Sequence, residues 1–153
     1  MAARAAGPRE GDSVTVDTVL SGLGIEATGA QRDALQRYLR ELELWNRKRD
    51  LVKAEGDLLL TRHLADSLAG LPLVRRELAP ASTPVLLDLG SGGGFPGMPL
   101  AVLLPEVRVV LVDRSRWKCS FLRSAAAVAG VANVRVVNAE LGRLAGTEAA
   151  GTQ

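Results

Sequence analysis

Asp88 and Asp113 are the residues of this sequence best placed to do chemistry. Each ends a short apolar run, "VLLD" and "VVLVD", and the first is followed at once by "LGSGGGFPG", with four glycines within five positions. A glycine-rich turn after a strand brings backbone close to a ligand, and a carboxylate beside it selects the charge of that ligand. Gly92, Gly94 and Gly97 match G-x-G-x-x-G, the turn of dinucleotide-binding units, but a lone match of that kind is weak.

Asp88 argues against a dinucleotide, because a pyrophosphate against those glycines would meet like charge. S-Adenosylmethionine carries an ammonium and a sulfonium and no phosphate, so the order of acid then glycines suits it better. Asp113 falls 23 residues after Gly90, about where an acid accepts hydrogen bonds from ribose hydroxyls. Both cofactors have that ribose, so Asp113 supports a nucleoside without choosing between them. Asn138, Ala139 and Glu140, at the end of a third strand, would then flank the adenine. The bland alternative is a tight turn whose two acids only cap helices.

Other reactive side chains are few. Cys119 and His63 are each the single residue of their type, which argues against a disulfide, a thiolate-rich metal cluster or a His-based zinc site, so no metal is expected. Cys119 reads as buried and inert. Arg47, Lys48, Arg49 and Lys53 form one basic group, and Arg114, Arg116, Lys118 and Arg123 another; either is a phosphate contact or an ordinary solvated face. A net charge of +2 decides nothing about nucleic acid. His63, Asp66 and Ser67 share one helical face at i, i+3 and i+4 and read as a local hydrogen-bonded cluster. Trp45 and Trp117 could stack on bases, although Trp45 continues an apolar stripe and reads as core.

The elements that must position these residues follow from periodicity. With 153 residues the chain is expected to form one domain. Residues 1–12 read as a mobile tail and 13–80 as helical. "SVTVDTVLSGLG" places Val16, Val19, Leu20 and Leu23 at helical spacing, with Ser13 as N-cap and Gly24 as stop. Thr28 and Gln31 have capping-box spacing, and Leu35, Tyr38, Leu39, Leu42 and Trp45 form the stripe of a second helix. A third helix covers about Asp57 to Leu78 with Leu60, Leu64, Leu68 and Leu71 inward, bent at Pro72. From 84 to 141 the period changes to βαβαβ: "PVLLDLG", a strand of the type buried on both faces; a helix opening with prolines; "VRVVLVD"; a helix closed by Gly130; and "NVRVVNAE". Right-handed crossovers lay these strands down in the order 3-2-1. Residues 142–153 read as disordered. No apolar run reaches the roughly 18 residues of a membrane span, and "MAARAAGPREGDS" lacks a signal-peptide core, so a cytoplasmic protein is expected.

"DLGSGGGFPGMPLA", together with "WNRKRDLV", "RHLADSL" and "LVDRSRWKCSFL", resembles the bacterial small-subunit rRNA guanine-N7 methyltransferases, the RsmG or GidB family. The likeness runs from about Leu35 to Glu140. It implies an α/β class I methyltransferase (Rossmann-like) fold with an N-terminal helical cap. It further implies S-adenosylmethionine as cofactor and methyl transfer to N7 of one guanosine in the 16S rRNA of the small ribosomal subunit. Gly90, Phe95, Ala139 and Glu140 fall on the family's cofactor contacts; the full expected set is Asp88, Gly90, Ser91, Gly92, Gly94, Phe95, Asp113, Ala139 and Glu140. On the RNA side stand Arg47, Lys48, Arg49, Arg114, Arg116 and Lys118, with His63, Asp66 and Ser67 shaping the wall between cofactor and RNA. No catalytic residue is expected, because guanine N7 carries a lone pair and no proton, and its methylation needs alignment rather than a general base.

Two departures from the family pattern stand out. Asn138 occupies a position where the family usually has Arg, and no fourth-strand pattern follows Glu140, so the C-terminal part of the domain is expected to be missing and the first strand to lie at an edge. Such an edge invites self-association or a covering partner. A shortened, inactive nucleoside- or RNA-binding homologue and an NAD-binding oxidoreductase fragment are the alternatives to the enzyme.

Overall fold

A computed structural model describes residues 13–140 and Gly142; apart from Gly142, both expected tails lie outside the described residues. The helical region comprises α1 (Val16–Gly22), α2 (Gly29–Asn46), a π-helical turn (Leu59–Leu64) that runs into α3 (Ala65–Ala69), and α4 (Leu71–Leu78). The α/β part follows as β1 (Val85–Leu89), α5 (Gly97–Leu103), β2 (Arg108–Asp113), α6 (Arg116–Ala129) and β3 (Val134–Asn138). The strands are parallel in the order β1-β2-β3, with Asp88 beside Leu111 and Asp113 beside Asn138. This is the neighbour order that the crossover rule dictates.

Local chemistry explains most of the boundaries. Thr28 and Gln31 cap α2 reciprocally, Gln31 N–H donating to the Thr28 hydroxyl at 3.1 Å and Thr28 N–H to Gln31 Oε1 at 2.9 Å; such a cap contributes about 1 kcal/mol. Gly130 closes α6 in the left-handed conformation. At α1 the cap is Thr15, not Ser13. A cap at Ser13 would put Val16 three residues on, whereas Thr15 is answered by Thr18, whose Oγ1 takes the Thr15 N–H at 2.7 Å.

The expected third helix is broken into three pieces. Residues 59–64 widen to i→i+5 bonding, with Ala65 N–H reaching Leu60 O, while Thr61 Oγ1 donates to Asp57 O at 2.8 Å and competes for the preceding carbonyl. The extra residue per turn rotates the face, so Leu59 is buried and Leu60 only half-buried. The break before α4 comes at Gly70, and Pro72 lies in the first turn of a new helix, where its missing N–H has no partner to lose.

The core forms on one side of the sheet. Val109 and Leu111 point to that side and are fully buried, α5 is buried along its whole length, and α2 lies outside, packed on α5 and α6. The other side is open among the described residues: Val85, Leu87 and Leu89 are 42%, 55% and 49% exposed. The expectation that "VLLDL" is buried on both faces is therefore corrected for the described residues, among which β1 lies at the edge of the sheet. No described helix is long and apolar enough to cross a membrane.

Candidate functional site

The glycine loop between β1 and α5 has two sides. Gly90 and Gly92 hold positive φ angles of 74° and 53°, the left-handed region that glycine alone enters cheaply. A Cβ at Gly90 would meet nothing within 4 Å, and one at Gly92 only the Gly90 carbonyl at 3.8 Å. The rest of the loop faces inward. A Cβ at Gly93 would lie 2.7 Å from Val52, one at Gly94 2.9 Å from Met98 and 3.0 Å from the Tyr38 hydroxyl, and one at Gly97 would collide with Leu111 and lie 2.6 Å from Asp88. The open side of the loop is the Gly90–Gly92 side.

The helical region holds the inward side. Tyr38, fully buried in the α2 stripe, donates its hydroxyl to Gly93 O at 2.6 Å. Burial, reinforced by the charge of Asp88, pushes that hydroxyl far above its ordinary pKa, so it stays a donor. Val52 is brought to Gly93 by Asn46, whose Oδ1 accepts from the N–H groups of Leu51 (2.7 Å) and Val52 (3.1 Å) while its Nδ2 donates to Val52 O (3.0 Å). The stripe pattern classed Tyr38 as core and gave Asn46 no role. The available signal was a lone phenol in an aliphatic stripe, since a buried tyrosine hydroxyl needs a partner.

Asp88 and Asp113 anchor the loop at its two ends. Asp88 Oδ2 accepts the Gly97 N–H at 3.0 Å, so a carboxylate already occupies the N-terminus of α5. Burial raises the Asp88 pKa above the ordinary carboxylate value; the bonds from Gly97 and Ser91 oppose this, and the charge of Asp113 adds to it. Asp113 is 7% exposed, with Oδ2 accepting from Gly92 N–H (3.0 Å) and Oδ1 from Ser115 N–H (2.8 Å). Ser91 is turned inward, 2% exposed, its hydroxyl donating to Asp88 O (2.9 Å) and accepting from Val112 N–H (3.1 Å). It joins the ends of β1 and β2 rather than presenting itself to a ligand.

Gly90, Asp113, Arg114, Lys118, Ala139 and Glu140 line one cleft of about 510 Å³ at the carboxyl ends of the strands, a volume suited to a cofactor-sized molecule. Asn138 braces it from behind, donating Nδ2 to Asp113 O and Arg114 O at 3.0 Å each. Cys119 is fully buried, its Sγ 3.3 Å from Asp113 O. Phe95 lies apart from this cleft. Its ring takes Tyr38 edge-on at 5.5 Å and stacks on His63 at 5.2 Å. Of the His63–Asp66–Ser67 cluster only one bond forms, Ser67 Oγ to His63 O at 2.6 Å, and Asp66 is exposed. Arg47, Lys48, Arg49, Lys53, Arg114, Arg116 and Arg123 are exposed, and Lys118 half-buried. Trp45 and Trp117 meet at 5.6 Å, which places Trp45 in an aromatic stack rather than wholly in the core.

The model of the family GidB, rRNA small subunit methyltransferase G, matches residues 31–150. Proteins named ribosomal RNA small subunit methyltransferase G are similar to this chain. That of Ralstonia nicotianae is 43% identical over 119 residues, 74% of this chain and 52% of its own length. That of Acidovorax sp. (strain JS42) is 38% identical over 134 residues, 82% and 59%; that of Neisseria gonorrhoeae (strain NCCP11945) is 36% identical over 120 residues, 78% and 55%. The chain thus spans between half and three-fifths of the curated relatives it matches. A crystal structure of coclaurine N-methyltransferase bound to N-methylheliamine and SAH matches with a TM-score of 0.43 and 22% identity, covering 84% of this chain and 34% of that one, a likeness too loose to decide anything. With the family model matched over most of its length, the chain belongs to the GidB family, rRNA small subunit methyltransferase G.

Proposed function

We propose that the chain binds S-adenosylmethionine at the Gly90–Glu140 cleft and serves methyl transfer to N7 of a guanosine in 16S rRNA. One observation carries the choice of cofactor: the Asp88 carboxylate sits on the Gly97 N–H at the start of α5. In a dinucleotide-binding unit a pyrophosphate uses that helix terminus. Here the anion site is filled from within, and a phosphate would meet a negative charge as well. An NAD-dependent reading fails on both counts, whereas a cationic, phosphate-free nucleoside is favoured.

The residues present fit such a group. Gly90 leaves its Cβ direction open and lets backbone approach it. Asp113 keeps lone pairs beyond its bonds to Gly92 and Ser115 for ribose hydroxyls. Ala139 and Glu140 border the cleft's far end. When bound, S-adenosylmethionine supplies a methyl group activated by its sulfonium. The chain's part is to orient the nucleoside through Asp113, balance positive charge with Asp88, and hold the loop rigid through Tyr38 and Asn46. No side chain has to take a proton, because N7 attacks with a free lone pair, so alignment and exclusion of water do the work.

The RNA partner is read from family membership together with the cations lining the cleft, the exposed Arg114 and the half-buried Lys118. A protein acting on the small ribosomal subunit would work in the cytoplasm. Among the described residues β1 lies at the edge of the sheet, which supports self-association by edge pairing; sedimentation should show a dimer that Leu87→Lys dissociates, and a monomer at every concentration would refute it. The test of transfer is incubation with methyl-labelled S-adenosylmethionine and small ribosomal subunits, followed by nuclease digestion. Label in N7-methylguanosine is the expected result. Cofactor binding without label would reduce the chain to a nucleoside-binding homologue.

A further inference from the structure

We propose that Arg49, seated over Trp117, joins the two basic groups into a single strip that binds single-stranded RNA and leads it into the cleft. The inference rests on the RNA reading above and says where and how that RNA is held. Four side chains form a ladder from core to solvent. Phe121 is fully buried, Trp45 lies 5.7 Å from it, Trp117 lies 5.6 Å from Trp45, and the guanidinium carbon of Arg49 stands 5.2 Å over Trp117. The lower rungs are fixed. Trp45 Nε1 donates to Glu41 Oε1 at 2.7 Å, and the same oxygen accepts Ser124 Oγ from α6 at 2.7 Å. Asn46, by folding residues 47–52 back on α2, sets Arg49 against α6.

The sequence keeps Arg47–Arg49 and Arg114–Lys118 more than sixty residues apart, and the cation–π contact makes them neighbours. The ion pairs are Arg32–Asp17 and Arg76–Glu77, so the strip's cations have no acidic partner among the described residues. Gathering unpaired cations on one surface is unfavourable unless a polyanion completes it. Lys118 ties the strip to the cleft, since it lines the same wall as Gly90 and Glu140. The flat guanidinium-on-indole surface selects among polyanions. Stacking needs unpaired bases, which single-stranded RNA offers and a duplex hides, while a simple polyphosphate has none.

The chain has two tryptophans, both in the ladder, so intrinsic fluorescence reports the site directly. The experiment titrates the full chain with a single-stranded RNA of about 12 nucleotides, within the length one such groove covers. The same titration is run with its duplex and with polyphosphate, and S-adenosylhomocysteine binding is measured in parallel. The expected result is saturable binding, tightest for the single strand, weakened about tenfold by Trp117→Leu and by Arg49→Gln. Arg40→Gln, exposed on α2 beside the α1–α2 hollow, should leave it unchanged. Arg49→Gln removes no side-chain hydrogen bond or ion pair among the described residues and keeps the test valid should the tryptophan variant misfold. Single-strand binding equal in both ladder variants and wild type, or matched by duplex or polyphosphate, overturns the strip alone. Absence of any RNA binding while S-adenosylhomocysteine still binds overturns the strip and the RNA reading together, leaving the cofactor reading standing.

Discussion

Gly90 and Gly92 lie in the same short run as Gly93, Gly94 and Gly97, yet the two sets answer to different neighbours. A Cβ on either of the first pair would meet no side chain, and Gly90 lines a cleft; the other three are pressed against Val52, Tyr38, Met98, Leu111 and Asp88. A glycine motif that would pass for a single ligand-binding feature is therefore two devices. One leaves the loop open on the side of the proposed cofactor. The other lets the helical region and α5 close onto the sheet and fix the loop's shape. Because Gly92, Gly94 and Gly97 of the G-x-G-x-x-G match divide between the sets, the match by itself carries little information about the ligand.

The comparison breaks most visibly at the inward set. Gly97→Ala drives a methyl group into Leu111 and the Asp88 carboxylate, and is expected to cost about 3 kcal/mol by overpacking, read from urea unfolding. Tyr38→Phe comes next: it leaves the buried Gly93 carbonyl without its donor, at about 2 kcal/mol. Gly90→Ala should be milder for the fold, about 1 kcal/mol of backbone strain, since nothing stands in the way of its Cβ; its larger effect should be on cofactor affinity. A loss of stability at Gly90 as great as that at Gly97 would erase the distinction.

Asp88→Asn sharpens it with the smallest effect on the fold. The folded pKa of Asp88 is raised, chiefly by burial, so the protonated form favours folding. That contribution is complete below the unfolded carboxyl pKa and is lost as pH rises through the folded value. The Asn variant, neutral throughout, should match the wild type in acid and become the more stable of the two above that range, while binding the cationic cofactor less well. Thermal melts across pH check the first statement and titration the second. A variant less stable than the wild type at neutral pH would contradict the first statement, and unchanged cofactor affinity would contradict the second.

What was legible in the sequence was local. The Thr28–Gln31 cap, the Gly130 stop, the βαβαβ alternation and the strand-end positions of Asp88 and Asp113 depend on neighbours within a few residues. The bond from Tyr38 to Gly93 spans 55 positions, and no periodicity reports it. The π-helical turn arose where Thr61 competes for a backbone carbonyl, which moved Leu59 inward and left Leu60 half-buried. "VLLDL" concealed its open face because the residues on that face, Val85, Leu87 and Leu89, are all apolar and nothing polar marks it. Ser91 looked like a loop hydroxyl facing a ligand, and its inward turn follows from the needs of Val112 N–H on the neighbouring strand. The two basic groups were each legible, and their meeting across Trp117 was not, because it depends on how α2 lies on α6.

Gly90 and Asp113 line the cleft, the Asp88 carboxylate is held on the Gly97 N–H, and together they are proposed to select a phosphate-free, cationic nucleoside. Calorimetric titration with S-adenosylmethionine, with S-adenosylhomocysteine and NAD as competitors and Asp88→Ala alongside, tests this selection most directly. Saturable binding of S-adenosylmethionine, displaced by S-adenosylhomocysteine, indifferent to NAD and abolished in the variant, is the expected result. Binding that NAD displaces, or a folded chain that takes up no S-adenosylmethionine, would contradict it.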